Sequence, residues 1–234
     1  MYNKFILKLT DREIEKELSD ILGKTIKKPL KWTGNITNNP GEYYNDGKIN
    51  EKELIGLYDK EDMEEMFITL SFTSLRSRPK DLFNLIKSQK KGNKVLEYGH
   101  GTSTHGIACA QKGCEVWGVD VSTYMKEKSI ERYNSRGVSA NLITDKTPLP
   151  DGYFDTILCT DVFEHVPDPL ALLRKLMKCL KKGAMVHLNV SSMVNYKKGH
   201  LAQSIHSWKN PCQRVMKKNF VKISKNNYRY KGNE

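Results

Sequence analysis

No stretch of the 234 residues approaches the ~20 consecutive apolar residues of a bilayer-spanning helix. A membrane-spanning helix is therefore not expected. Phe5-Ile6-Leu7 is a short apolar start and acids follow from Asp11, so neither a secretory signal nor a transit peptide is expected. Cysteine is scarce: there are five, an odd number, with no CxxC pair. That argues against a disulfide framework or a zinc knuckle and points to a reduced, cytoplasmic protein. No internal repeat is visible, and no segment is a long low-complexity linker.

Acidic side chains are missing from one region in particular. The formal net charge is +12, but residues 1–92 hold 17 basic and 15 acidic side chains, and residues 93–190 hold 12 and 11. Residues 191–234 hold 10 and 1. The excess therefore belongs to the last segment. It fits a solvated surface, or a face for an anionic partner such as nucleic acid, a phosphorylated metabolite or an anionic lipid.

The length fits one α/β domain with additions, or at most two small domains. The first third reads as helices. Thr10-Asp11-Arg12-Glu13 is a capping-box pattern with a stop at Gly23. Residues 33–50, rich in Asn, Gly and Pro, read as a loop, and Asn50 with Glu53 caps a second helical stretch. Pro79 opens a helix with Leu82, Phe83, Leu85 and Ile86 on its buried side. After Gly92 short β-prone runs alternate with helical stretches. The strands are predicted at Lys94–Tyr98, Glu115–Val119, Ala140–Ile143, Phe154–Thr160 and Met185–Val190, the helices at 104–112, 123–135 and 169–181. That alternation implies a parallel sheet with helices on both faces. A helix around 208–218 and an antiparallel hairpin, Val221–Ser224 with Tyr228–Lys231, close the sequence. The domains expected are an N-terminal helical extension and lid, 1–92, and a ligand-binding α/β domain, 93–234.

Chemistry concentrates at the predicted strand ends. Gly99-His100-Gly101 lets the backbone turn tightly and approach a ligand, though Thr104 stands where a dinucleotide fingerprint has its third glycine. Glu97 would repel a pyrophosphate and suits a ligand with a cationic amino group. Asp120 lies 19 residues after Gly101, at the tip of the second strand, where an acid can accept from two ribose hydroxyls. Asp145, after the third strand, could meet a purine edge. Asp120 and Asp145 each also have a plain reading as a turn residue.

Taken in order, Val95-Leu96-Glu97, Gly99, Gly101, Asp120, Pro148, Pro150-Asp151-Gly152, Phe154-Asp155, Glu164-His165-Val166 and Asp168-Pro169 resemble the class I S-adenosylmethionine-dependent methyltransferases of the methyltransferase type 11-like group. The resemblance covers roughly residues 94–190. It implies a Rossmann-like, seven-stranded, mostly parallel sheet with a terminal antiparallel hairpin, and S-adenosylmethionine as cofactor with S-adenosylhomocysteine as product. It places Glu97 at the methionyl amino group, Gly99 and Gly101 beneath the cofactor, and Asp120 on the ribose. It also places Val121 at the adenine face, Asp145 at the adenine amine and Thr160 near the methionyl end. Ser103 replaces the group's third glycine, Lys182 its proline and Ala184 its second glycine before the fifth strand.

His165, past the fourth strand, is a candidate catalytic residue or a loop-orienting one. His200 and His206 are candidate general bases or surface residues. His105, Cys109 and Cys114 have no fourth ligand at tetrahedral spacing, so no metal is expected and core packing is the reading. Tyr43 and Tyr44 could close a lid, and Arg76 and Arg78 could meet an acidic group. The function expected is methyl transfer to O, N or C of a small, anionic-compatible molecule by in-line displacement. The alternatives are an RNA (tRNA) methyltransferase using segment 191–234, or a non-catalytic cofactor-binding scaffold. For RNA, Lys197, Lys198, Lys209, Arg214, Lys217, Lys218, Lys222 and Lys225 would meet phosphates, with Tyr196, Trp208, Tyr228 and Tyr230 stacking on bases.

Overall fold

Thr10 caps the first helix, α1 (Asp11–Leu22), through the reciprocal bonds its sequence pattern predicts: its side chain accepts from the Glu13 N–H and the Glu13 carboxylate accepts from the Thr10 N–H. Gly23 ends the helix in the left-handed conformation at φ 66°. The structure, a computed structural model, describes residues 2, 4–29, 63–76, 79–190 and 200–232. The 33–50 loop with Tyr43 and Tyr44, the Asn50 cap, Arg78, Tyr196, Lys197 and Lys198 lie outside them.

The chain divides into two compact units. The first contains the described residues up to 29 together with 63–147. It carries α1, α2 (Met63–Arg76), α3 (Lys80–Ser88), β1 (Lys94–Tyr98), α4 (Thr104–Ala110), β2 (Glu115–Asp120), α5 (Thr123–Ser135) and β3 (Asn141–Thr144). β1 pairs with β2 and β2 with β3, all parallel. α4 packs on β1 and β2, and α1 packs on α2 and α5. The N-terminal helices thus share one core with the first three strands. Ile14, Leu18, Phe67, Leu82, Val95, Leu96 and Ile107 are all buried in it.

The second unit starts at Pro148. It carries β4 (Phe154–Thr160), α6 (Pro169–Cys179), β5 (Leu180–Asn189), α7 (Ala202–Ser207), a π turn (Trp208–Cys212), α8 (Gln213–Asn219), β6 (Phe220–Lys222) and β7 (Asn227–Tyr230). β4 and β5 are parallel; β7 runs antiparallel to both β5 and β6. Asp168 caps α6 by accepting from the Ala171 N–H, and Pro169 opens its first turn.

The seven strands follow the order β3-β2-β1-β4-β5-β7-β6. This is the expected mostly parallel α/β sheet with an antiparallel end. Several element bounds shift, β3 by one residue to Asn141–Thr144 among them, and two shifts are informative. β5 begins at Leu180 rather than Met185, because Leu180 pairs with Phe154 ahead of a register shift, where Gly183 at φ 82° absorbs the irregularity. The hairpin starts one residue earlier than predicted, with Phe220 paired to Tyr230 and their rings 5.2 Å apart. Among the described residues no helix is long and apolar enough to cross a membrane. All five cysteines are free and buried.

Candidate functional site

β1 runs into a loop that takes positive φ three times within five residues: Gly99 at 70°, Gly101 at 47° and Ser103 at 54°. The glycines fit this geometry without strain. Ser103 adopts it in the place where the resemblance expected glycine. The N–H groups of Gly99 and His100 both donate to the Val119 carbonyl, at 2.8 and 3.1 Å. The Gly101 N–H donates to Asp120 Oδ2 at 2.8 Å, and the Ser122 N–H to Asp120 Oδ1 at 3.0 Å. Asp120 is therefore fixed at the tip of β2. A carboxylate has about four acceptor positions, so two remain for a ligand diol. Val121 follows it, and Asp145 stands just past β3; both are half-buried.

The resemblance put Glu97 at the methionyl amino group, directly or through water. Its carboxylate turns into α4, where Oε2 accepts from the Gly106 N–H at 2.9 Å and Oε1 meets His105 Nδ1 at 3.1 Å. It is 4 % exposed. Gly106 makes room for this: a Cβ there would stand 2.3 Å from Tyr133 Oη and 2.7 Å from Glu97 Oε2. His105 is thereby a buried partner of Glu97, consistent with its core reading.

His100 contributes more than its backbone. Its ring is buried, with Nδ1 3.0 Å from both the Gly101 carbonyl oxygen and Ser103 Oγ. A carbonyl only accepts, so Nδ1 carries the proton. Gly118 in β2 is what admits the ring, since a Cβ there would sit 3.0 Å from His100 Cδ2 and 2.5 Å from a Leu142 methyl. A glycine inside a predicted strand was the available signal for this close approach.

A buried network escaped the sequence reading. Glu17 on α1 is fully buried and pairs with Arg132 at 3.2 Å and Arg136 at 2.8 Å. Burial pushes its carboxyl up, but the two guanidiniums, Arg132 foremost, outweigh burial and hold it below the usual carboxylate range. The signal was an acid on the apolar face of α1, between Ile14 and Leu18, and arginines spaced i, i+4, one in the last turn of α5 and one at its C-cap.

In the second unit the exit of β4 gathers the remaining candidates. Thr160 ends the strand, half-buried. Asp161 takes φ 55°; its N–H donates to the Asn189 carbonyl and its Oδ1 accepts from Asn189 Nδ2, both at 2.8 Å. Positive φ at a non-glycine residue is uncommon and concentrates at functional sites. Glu164 is fully buried, and its carbonyl accepts from the Leu201 N–H at 2.8 Å. That bond brings the segment after β5 against the loop after β4. His165 and His200 consequently meet edge to face, ring centroids 4.9 Å apart. Donor atoms of Glu164, His165 and His200 lie within 4.8 Å of one another, a set able to take up a proton or a divalent cation. His206 is exposed on α7 and is not in this cluster.

The basic segment is exposed where it is described: Lys209, Arg214, Lys217, Lys218, Lys222 and Lys225 all face outward. Its aromatics mostly do not. Trp208 packs on Phe163 with centroids 4.9 Å apart, and Tyr230 is buried against Phe220.

The family described as methyltransferase domain matches residues 72–223. A ubiquinone biosynthesis O-methyltransferase of Pseudomonas aeruginosa is 31% identical over 105 residues, covering 42% of this chain and 44% of the relative. Its counterpart in Paracidovorax citrulli is 30% identical over 104 residues, covering 41% and 42%. The chain thus spans less than half the length of these curated relatives. Among solved structures, a provisionally assigned S-adenosylmethionine-dependent methyltransferase of Methanococcus maripaludis superposes with a TM-score of 0.56 at 16% identity, over 76% of this chain and 95% of that one. A phosphoethanolamine N-methyltransferase of Haemonchus contortus, solved with S-adenosylhomocysteine, gives a TM-score of 0.51 at 19% identity, over 62% and 37%. These two likenesses speak for the fold.

Proposed function

The chain belongs to the methyltransferase-domain family and is a class I S-adenosylmethionine-dependent methyltransferase; from that premise we propose that it methylates a hydroxyl oxygen of a small molecule. The observation that carries the choice of oxygen is the His165–His200 pair on buried Glu164. A neutral hydroxyl must lose its proton as it is methylated, and these are proton-accepting groups. The O-methyltransferase names of the curated relatives agree with this reading.

The residues of the glycine loop fit the cofactor. Two glycines at positive φ bring bare backbone to the ligand side, Asp120 keeps two acceptor positions at the strand tip, and Glu97 supplies a buried negative charge. In this reading Asp120 holds the ribose hydroxyls, Val121 lines the adenine face and Asp145 accepts from the adenine amine. When bound, S-adenosylmethionine supplies an already activated sulfonium methyl group. The chain then has to align the acceptor, exclude water and take one proton. His165, with His200, would take the proton that the acceptor hydroxyl gives up.

Two experiments test this. Calorimetric titration with S-adenosylhomocysteine checks the cofactor site: Asp120→Ala is expected to weaken binding by roughly 30-fold, the loss of hydrogen bonds to a charged group. Comparable loss in His165→Ala would overturn the assignment. Incubation with methyl-labelled donor and separated cell fractions identifies the acceptor class. Label in small phenolic or other hydroxyl compounds supports the reading, and label in amines or protein overturns it.

RNA as acceptor is a second reading, favoured by the six exposed basic residues between Lys209 and Lys225. The packing of Trp208 and Tyr230 weighs against base stacking. Salt-sensitive RNA binding with label in the RNA fraction would establish it.

A further inference from the structure

The peptide groups of the glycine loop are held from behind by one helix, and that helix is tied to the N-terminus. Ser129 Oγ on α5 donates to the Gly101 carbonyl at 2.9 Å. One turn on, Arg132 Nη1 donates to the Thr102 carbonyl at 2.6 Å and to Thr104 Oγ1 at 3.1 Å. Its other terminal nitrogen donates to Glu17 Oε2 on α1 at 3.2 Å. Arg136 Nε donates to Glu17 Oε1 at 2.8 Å and its Nη1 to the Lys4 carbonyl at 3.1 Å. Arg132 and Glu17 are both fully buried.

The planar guanidinium thus spans two elements that are far apart in sequence. In a trans peptide the C=O and N–H vectors are antiparallel. Fixing the Gly101 carbonyl toward α5 therefore aims the Thr102 N–H away from it. Fixing the Thr102 carbonyl sets the Ser103 N–H, which donates to the His100 carbonyl at 2.7 Å. These peptides belong to the loop whose backbone takes positive φ three times, where the alternative, negative-φ conformations are open to glycine at little cost. An orientation that the loop's own sequence leaves loose is supplied by α5.

We propose that Arg132 and Glu17 are positioning residues for the cofactor loop, so that the N-terminal helix α1 forms part of the donor-binding machinery without touching the donor. The assignment rests on the reading that the Gly99–Ser103 loop receives S-adenosylmethionine. Glu17 orients Arg132, Arg132 orients the Thr102–Ser103 peptide and the Thr104 hydroxyl, and Ser129 orients the peptide before it. A lysine at 132 would keep the charge opposite Glu17 but could not hold the carboxylate and the Thr102 carbonyl in one rigid fork.

The test uses the full chain and S-adenosylhomocysteine as the probe, comparing Arg132→Lys, Glu17→Gln, Ser129→Ala and a control, Leu173→Ala. Leu173 is buried on α6 in the other unit. For each, Kd is measured well below the melting temperature, together with Tm and amide exchange at Thr102 and Ser103. Arg132→Lys is expected to weaken binding roughly tenfold or more, Glu17→Gln somewhat less, and Ser129→Ala by about threefold. Loop amide exchange should rise in the same order. Leu173→Ala should lower Tm and leave Kd unchanged, which separates positioning from general destabilisation. If the arginine variant fails to fold, Ser129→Ala carries the test, since it removes one hydroxyl and no charge. Variants that stay folded and bind like the wild type overturn the proposal while the cofactor reading stands. A wild-type protein that does not bind the probe overturns the cofactor reading itself.

Discussion

The loop after β1 and the loop after β4 solve different problems by different means. The first is closed by bonds within about two dozen residues of chain, the Gly99 N–H to the Val119 carbonyl and the Gly101 and Ser122 N–H groups to Asp120, with α5 bracing it. The second joins parts that sequence keeps apart: the Leu201 N–H bonds the Glu164 carbonyl, the Ser204 hydroxyl bonds the Val166 carbonyl, and His165 meets His200. In the proposed reading, one is a backbone device for a fixed ligand. The other is a side-chain assembly whose composition can change with the acceptor. This is why a fold of this kind specifies the methyl donor and leaves the acceptor to be found.

The contrast breaks most sharply at His165. Glutamine there keeps a polar side chain and removes the proton acceptor, and turnover is expected to fall roughly 10²- to 10⁴-fold, the range for a lost general base. Affinity for S-adenosylhomocysteine should stay unchanged. Steady-state kinetics paired with calorimetry checks both halves. Equal losses in turnover and cofactor affinity would show that the two loops are one functional element. Turnover abolished by a chelator and restored by a divalent ion would instead assign acceptor activation to an ion held by the same three donors.

The next effect belongs to the first region. Removing one partner of a buried ion network leaves an uncompensated charge, so Glu17→Ala should cost about 3–5 kcal/mol of unfolding free energy. The sign of its pH dependence follows from the folded-state carboxyl lying below its usual range. The stabilisation is fully present above the unfolded-state pKa near ~4.3 and is lost as pH falls through the lower folded value. Urea denaturation of wild type and Glu17→Gln should therefore show a constant gap at neutral pH that closes below pH ~4. A gap that widens in acid would contradict the network.

The same contrast explains what could be read without coordinates. Strand periodicity located β1 and β4 to the residue, because both are buried apolar runs bounded by turn signals. The capping box at Thr10 and the role of Asp120 as a strand-tip acid were local patterns as well. For Glu97, spacing gives the position and not the rotamer; the Gly106 gap that receives its carboxylate lies on the next helix. Glu17 with Arg132 and Arg136 is a contact across more than 100 residues, as is evident from the numbering, and such pairings leave only weak marks in composition. His165 and His200 were both nominated, yet only the fold could separate them from exposed His206.

The smallest expected effect is the most discriminating. Ser103 holds φ 54° in a loop where glycine is at ease, and this left-handed conformation costs a non-glycine residue about 1–2 kcal/mol. Ser103→Gly removes that strain, and also removes the Oγ contact to His100 Nδ1. If backbone strain dominates, the variant gains up to ~1 kcal/mol, a rise in Tm of roughly 2–4 °C for a chain of this length. If the side chain is there to brace the His100 ring, stability stays level and loop amide exchange rises instead. Stability gained together with weaker S-adenosylhomocysteine binding would mean that the strain is used: the serine narrows the loop's conformations toward the one that binds, as Arg132 does from the other side. A gain in both would make Ser103 a tolerated departure, with the orientation of the loop resting on α5 alone.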